Sequence, residues 1–245
     1  NTPFSLIRTI GTNVFVVPNY FDSQEKMESI YSPIHIPADT LQMSKKNVVV
    51  LIVESFGREY IGALNRSLEN GKYKGYTPCV DSLIAHSTTF RYSYCNGRKS
   101  IDGMPSILSS IPMFVEPFIL TPSSMNDFTG LAGILEQEGY QTAFFHGGPA
   151  SSLGFQGFTK SIGFQHAWSQ EDFEADSRTE GRAAYDNWWG IWDEPFLQYF
   201  RMKMSDMKEP FMTALFTLTS HHPFHVPDKY KEVYREEELP IHKIA

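Results

Sequence analysis

Three polar side chains close strand-like runs: Glu54 after NVVVLIV, His146 after TAFF and His221 after FMTALFTLTS. A carboxylate at the end of so apolar a run sits at the open edge of a sheet, where it can serve as a hard metal ligand. The same position suits a helix cap or a solvated loop acid. Ser100 follows Arg98 and Lys99 and precedes a helical run. Free backbone N–H groups and the positive end of the helix dipole stabilise negative charge there. Arg98 and Lys99 would pair with phosphate oxygens. A bound cation would lower the hydroxyl pKa and generate an alkoxide nucleophile. Serine before a helix is equally an ordinary N-cap.

His221, His222 and His225 surround Pro223. Histidines at a strand end can ligate metal, orient a phosphate or protonate a leaving oxygen. Plain structural histidines are the alternative. In an extended segment neighbours point to opposite sides, so His221 and His222 cannot both face one site. His146 precedes Gly147-Gly148, a tight turn suited to lie beside a ligand. Trp188, Trp189 and Trp192 are expected in the core or the cleft wall. The acidic stretch EDFEADSRTE, Glu171 to Glu180, reads as a solvated loop rather than a metal cluster.

The elements that must position these residues alternate between strand and helix. Asn47 to Val53 is a continuous run rich in β-branched residues, the pattern of a strand buried on both faces of a parallel sheet. Thr77 caps a helix from Pro78 to His86. Thr88 to Cys95 reads as a strand and Ile101 to Ile111 as a helix. Leu131 to Glu138 is a helix stopped by Gly139. Thr142 to Phe145 and Phe211 to Leu218 are strands, and Asp193 caps a helix from Glu194 to about Met207. Such alternation predicts an α/β fold, a mainly parallel sheet sandwiched by helices. Ligands in such sheets bind beyond the carboxyl ends of the strands. Residues 1–46, with Pro3, Pro18, Pro33 and Pro37, read as a lead-in linker with a short helix near Ser23 to Ile30. Residues 47–245 then form the main domain.

Composition narrows the class. The net charge of the 245 residues is −7, with 21 basic and 28 acidic side chains. That excludes a general nucleic-acid binder, which needs a basic face. The longest apolar run, Val48 to Val53, falls far short of the ~20 residues of a membrane helix. No charged head followed by an apolar stretch marks a signal peptide at the start. Two cysteines, Cys79 and Cys95, make no disulfide framework; one bridge or two free buried thiols fit equally.

In order, these segments resemble the extracytoplasmic catalytic domain of the lipoteichoic-acid-synthase-like phosphotransferases, a branch of the alkaline phosphatase and sulfatase superfamily. NVVVLIVESFG is similar to the first metal-ligand motif, and GYTPCVDSLIAHSTTF to the Thr-Pro helix and Phe-ending strand that follow. RKSID stands where the family has Gly-Lys-Thr-Ser-Asp, so Lys99 and Asp102 match and Ser100 takes the nucleophile's position. YQTAFFHGG and FTLTSHHPF resemble the later His-Gly and Thr-Leu-Ser-Asn-His-x-Pro segments. The resemblance spans about Asn47 to Pro227.

It implies transfer of a phospho-head-group, phosphoglycerol or phosphoethanolamine in type, from a phospholipid or other phosphodiester to a cell-envelope acceptor. The reaction would pass through a covalent phospho-Ser100 intermediate. Glu54 and Ser100 would hold one divalent cation, Mn, Mg or Zn. His221, Arg98, Lys99 and His146 would contact substrate. The family also implies an extracytoplasmic domain, membrane-anchored in a full-length protein. Counting from His146, Leu153 and Phe155 replace the Trp and Arg that grip glycerol phosphate in the polymerases, which leaves phosphoethanolamine open. A sulfatase or phosphodiester hydrolase and a non-catalytic binding domain are the alternatives. Against the sulfatase, Ser100 is followed by Ile-Asp-Gly-Met and lacks the Cys/Ser-x-Pro-x-Arg pattern. The family completes its metal shell with an Asp-His pair on a later strand. Val226 to Ala245 holds none, so the missing ligands are expected from a C-terminal part or a complementing chain.

Overall fold

The computed structural model describes residues 3, 4, 7, 19–32, 34, 36, 44–233 and 239–244. The chain divides into two compact units, Asn1–Ser44 and Lys45–Ala245. In the first, helix α1 (Gln24–Ile30) starts where expected: the Lys26 N–H donates to Ser23 Oγ at 3.2 Å. That bond satisfies one of the donors a helix start leaves open.

The second unit is an α/β layer structure. Strands β1 (Val48–Ile52), β2 (Gln141–His146), β3 (His166–Trp168) and β4 (Phe211–Phe216) form one parallel sheet in the order β1-β4-β2-β3. Helices α2 (Pro78–Ala85), α3 (Ser100–Ser109), α4 (Leu131–Gln137), α5 (Phe155–Ser161), α6 (Gln170–Ala175), α7 (Asp193–Ser205) and α8 (Pro240–Ile244) accompany it. The expected fold class is the observed one.

Strands β2 and β4 lie in the middle, and Thr142–His146 and Met212–Phe216 are buried throughout. Alternation sends their side chains to two cores. Phe144, Met212, Ala214 and Phe216 join Met104, Leu108, Phe155, Phe158 and Ile162 on one face. Ala143, Phe145 and Leu215 join Phe173, Ile191, Phe196, Tyr199 and Phe200 on the other. Each such Phe or Leu stabilises the fold by ~1.5–3 kcal/mol relative to exposure. Continuous apolar strands are what a parallel sheet covered on both faces requires.

Four expectations need correction. Strand β1 is an edge strand: Val48 and Val50 pack on the first core, but Val49 and Leu51 remain 45% and 55% exposed. Within the second unit no described element covers that side, so there the run is buried on one face only. Thr88 to Cys95 forms no strand, and Phe90, Tyr92 and Tyr94 are exposed. Both sides of β4 are taken by β1 and β2, and this segment pairs with neither outer strand; alternation without a partner makes no ladder. Cys79 and Cys95 are both free and exposed. The stretch from Glu171 is partly helical, in α6, rather than loop. Its start is held by Asp172, which accepts from the Ser169 N–H and Oγ at 2.8 and 2.7 Å.

Candidate active site

The parallel register aligns the carboxyl ends of β1, β4 and β2, which brings Glu54, the 217–221 segment and His146 to one end of the sheet. Glu54 is fixed through its backbone. Its N–H donates to Thr217 Oγ1 at 2.8 Å, and its carbonyl accepts from Ser220 Oγ at 2.6 Å. The next residue, Ser55, turns into the left-handed region at φ 51° and donates to Glu54 Oε1 at 3.0 Å. This pins the carboxylate at the mouth, half-buried.

Ser100 comes to it from 46 residues away. Its Oγ donates to Glu54 Oε2 at 2.6 Å, within charge-assisted range. Ser100 is the first residue of α3, and the cap position belongs to Lys99. The serine hydroxyl therefore engages a carboxylate across the site and not its own helix. Buried Asp102 shapes the approach: its Oδ2 accepts from the Arg98 and Lys99 backbone N–H groups, both at 3.3 Å. Gly97 is required beside it, with φ 82° and space so tight that a Cβ would lie 2.3 Å from Asp102 Cβ. The Arg98 and Lys99 side chains are exposed, and among the described residues neither has an ion-pair partner.

His146 is buried, with its Nδ1 at 3.0 Å from the Phe216 carbonyl. A carbonyl only accepts, so Nδ1 carries the proton and Nε2 keeps its lone pair. Burial lowers its pKa, outweighing the Phe216 bond and the Glu54 charge, so the ring stays neutral. The Gly147-Gly148 turn presses against it: a Cβ on Gly148 would stand 2.7 Å from Nε2.

The segment after β4 is a turn, not extended chain, so strict alternation does not separate the two histidines. Burial does. His221 is half-buried against Trp189, with ring centroids 4.3 Å apart, whereas His222 is exposed. Trp189 in turn donates from Nε1 to the His222 carbonyl at 2.7 Å. Trp188 and Trp189 are 58% and 43% exposed, which places them in a loop beside the site rather than in the core. Asp186 Oδ1 shapes that loop by accepting the Trp188, Trp189 and Gly190 N–H groups at 2.7, 2.7 and 3.1 Å.

With this geometry in place, the comparison with known proteins is decisive: the profile described as Sulfatase matches residues 46–243. The chain belongs to the sulfatase family. Over 234 residues it is 24% identical to the lipoteichoic acid synthase-like YvgJ of Bacillus subtilis, covering 92% of this chain and 36% of that protein. Over 197 residues it is 29% identical to phosphoglycerol transferase I of Escherichia fergusonii, covering 76% and 24%. The chain thus spans 36% and 24% of the length of these two curated relatives. Among solved structures it is similar to an alkaline phosphatase superfamily protein of Vibrio parahaemolyticus, with TM-score 0.68, 24% identity and coverage of 83% and 48%. The lipoteichoic acid synthase LtaP of Listeria monocytogenes follows, with TM-score 0.61, 20% identity and coverage of 82% and 49%. The periplasmic domain of EcEptC from Escherichia coli, solved in complex with Zn, gives TM-score 0.54 at 15% identity over 82% and 56%. These structural likenesses show the fold alone.

The family implies a metal ion. Two oxygens, Glu54 Oε2 and Ser100 Oγ, meet at the mouth of the site, a donor pair that fits a hard divalent cation. Among the described residues no three His, Cys, Asp or Glu side chains converge, so the pair would supply only part of a shell of four.

One residue of the site escaped the sequence reading. Asp193 does not cap α7, whose cap is Trp192. Its carboxylate accepts from the Leu218 and Thr219 N–H groups, both at 2.8 Å, and the Asp193 N–H donates to Thr219 Oγ1 at 2.7 Å. It holds the segment that carries Ser220 and His221. Burial outweighs those bonds and pushes its pKa up to about 6. The signal was present in the hydroxyl-rich Thr217-Leu218-Thr219-Ser220 run, which needs an acceptor for its backbone.

Proposed function

We propose that this chain is the catalytic core of a metal-dependent phosphotransferase of the sulfatase family. It would move a phosphoglycerol- or phosphoethanolamine-type head group from a phospholipid to a cell-envelope acceptor. The observation that carries the reading is the 2.6 Å contact between Ser100 Oγ and Glu54 Oε2 at the carboxyl end of a parallel sheet. The names of the synthase and transferase relatives agree with it. The family's extracytoplasmic setting and membrane tether belong to the same proposal; among the described residues no helix is long and apolar enough to cross a membrane.

Glu54 and Ser100 would hold a divalent cation, Mn, Mg or Zn, whose Lewis acidity would lower the serine pKa. Ser100 Oγ, its proton released to solvent, attacks the phosphorus of the lipid phosphodiester. The new Oγ–P bond forms as the bond from phosphorus to the diacylglycerol oxygen breaks, and that oxygen takes up a proton. An acceptor hydroxyl oxygen then attacks the same phosphorus and loses its proton. The P–Oγ bond breaks and Ser100 is reprotonated. His221, Arg98 and Lys99 would serve as phosphate contacts, and neutral His146 would offer Nε2 as an acceptor.

Phe155 bears on the head group. It stacks on Phe216 at 5.5 Å and is 2% exposed. It is therefore core and cannot take the place of a head-group-gripping arginine, which favours a head group other than glycerol phosphate.

The test is trapping. The chain, supplied with Mn²⁺ and phosphatidylethanolamine or phosphatidylglycerol, is digested and read by mass spectrometry. The expected result is a head-group phosphate adduct on the Ser100 peptide, lost in Ser100→Ala. An adduct on another residue, or turnover that survives Ser100→Ala, overturns the reading.

A further inference from the structure

Two Asn-Gly pairs occur in the sequence, Asn70-Gly71 and Asn96-Gly97. A glycine after asparagine has no side chain to keep its backbone nitrogen from the asparagine carbonyl carbon, and asparagine is among the thermolabile residues. The fold treats the two pairs differently. Asn70 and Gly71 lie inside the 3-10 turn Leu68–Gly71. Asn96 sits in an exposed bend four residues before Ser100.

Three features at Asn96 favour one reaction. Among the described residues the Gly97 N–H, which supplies the nucleophile, donates to no acceptor. The Asn96 amide nitrogen, the leaving group, likewise holds no hydrogen bond and is open to water. Asn96 Oδ1 accepts from the Met113 N–H at 2.6 Å. A backbone donor so close polarises the carbonyl and stabilises the oxyanion that attack on Cγ creates.

The reaction balances with water alone. Hydroxide takes the Gly97 amide proton, and the nitrogen attacks Asn96 Cγ. The Cγ–Nδ2 bond breaks and Nδ2 leaves as ammonia after taking up a proton, which closes a succinimide ring. Water then opens the ring at either carbonyl. One cleavage gives aspartate. The other gives isoaspartate, whose main chain runs through the side chain and is longer by a methylene.

That methylene has nowhere to go. Gly97 stands at φ 82°, and a Cβ on it would lie 2.3 Å from Asp102 Cβ. Asp102 Oδ2 holds the Arg98 and Lys99 N–H groups, and the Met113 bond ties the segment before α3 to the chain beyond it. An added backbone atom cannot be absorbed there by turning a side chain. We propose that Asn96 is a site of spontaneous deamidation, and that isoaspartate formed there dislodges the loop carrying Arg98, Lys99 and Ser100. On the phosphotransferase reading, on which this consequence rests, the chain carries a built-in limit to its catalytic lifetime. Both products also set a new negative charge beside the basic pair, against an anionic substrate.

The test is ageing, read by mass. The 245-residue chain is held at mildly alkaline pH and sampled over time. Trypsin then releases Ser67–Lys72 and Tyr92–Arg98, each with one Asn-Gly pair, and fragmentation separates aspartate from isoaspartate. In the folded chain the Asn96 peptide should convert at least ~10-fold faster than the Asn70 peptide, since a preorganised donor meets the developing oxyanion at Asn96. In concentrated urea the two rates should converge. Asn96 that stays intact while Asn70 converts, or a ratio unchanged by urea, overturns the proposal. The second readout is brief trypsin treatment of the native chain. Cleavage after Arg98 and Lys99 should be several-fold faster in the isoaspartate fraction than in fresh protein, whereas Asn96→Asp, which keeps the backbone length, should match fresh protein. Equal cleavage of fresh and isoaspartate chains, or equal loosening by Asn96→Asp, removes the dislodged loop. Conversion is measured whether or not Ser100 forms an adduct, so failure of the phosphotransferase reading is seen separately.

Discussion

Ser100 and Glu54 carry the weight at the scale of single residues. Their hydrogen bond is short and charge-assisted, yet its net contribution to stability is only ~1.5–3 kcal/mol. Ser100→Ala should therefore leave a folded protein whose urea midpoint shifts modestly, while the head-group adduct disappears. The histidines divide by burial. His221 rests half-buried on Trp189, and His222 faces solvent. In a preparation that turns over, His221→Ala is expected to lower kcat by about 100-fold or more, the scale of a lost acid–base or phosphate contact. His222→Ala should change it by less than about threefold. Equal losses in the two variants would remove His221 from the reading.

Among the elements, the segment after β4 is tied to the start of α7. Asp193 ties Leu218 and Thr219 to the helix start, and its pKa is raised to about 6 from the usual 3.8. Between those two values the folded state binds more protons than the unfolded chain. The group's contribution to stability is therefore fully present below about pH 3.8 and is lost as pH rises through about 6. Thermal unfolding of the native protein and of Asp193→Asn, measured from pH 4 to 7, should show the native protein losing ground to the variant as pH rises. A constant gap would mean that Asp193 does not titrate in this window. Gly190 supplies a second check. A Cβ there would stand 2.2 Å from the Gly147 carbonyl oxygen, where backbone meets backbone. Neither chain can yield by rotating a side chain. Gly190→Ala should cost more than ~2 kcal/mol in urea unfolding, within the range of overpacking defects; an unchanged midpoint would show that the turn relaxes freely.

For the molecule as a whole, strand β1 and helix α3 bring two oxygen donors together at one end of the sheet. Two protein ligands fall short of the four that hold a transition metal firmly. Titration of the 245-residue chain with Mn²⁺ by calorimetry should accordingly show weak binding, with a Kd in the millimolar range of about −4 kcal/mol. Ser100→Ala and Glu54→Gln should weaken it further. Micromolar binding that depends on Glu54 would show that donors beyond this pair complete the shell.

The fold was legible in the sequence because strand and helix periodicity are local properties. Val48–Ile52, Gln141–His146 and Phe211–Phe216 emerged from runs of apolar residues, and the glycines and capping residues marked where helices begin and end. The residue types at the strand ends, an acid and two histidines, could be named for the same reason. The short elements β3, α5 and α6 gave no such signal, because three to seven residues carry too little pattern to stand out. What only the tertiary structure decided is which partners each residue meets. Ser100 and Glu54 meet across 46 residues of chain because helix α3 packs Met104 and Leu108 into the same core as Ile52 at the end of β1. Val49 and Leu51 stay exposed because a strand's burial depends on its neighbours, not on its own composition. Thr88 to Cys95 alternates like a strand but finds no ladder. Phe155 goes to the core and Trp188 to the surface, although both are large aromatics, because space in a close-packed interior is allotted by the elements that surround it.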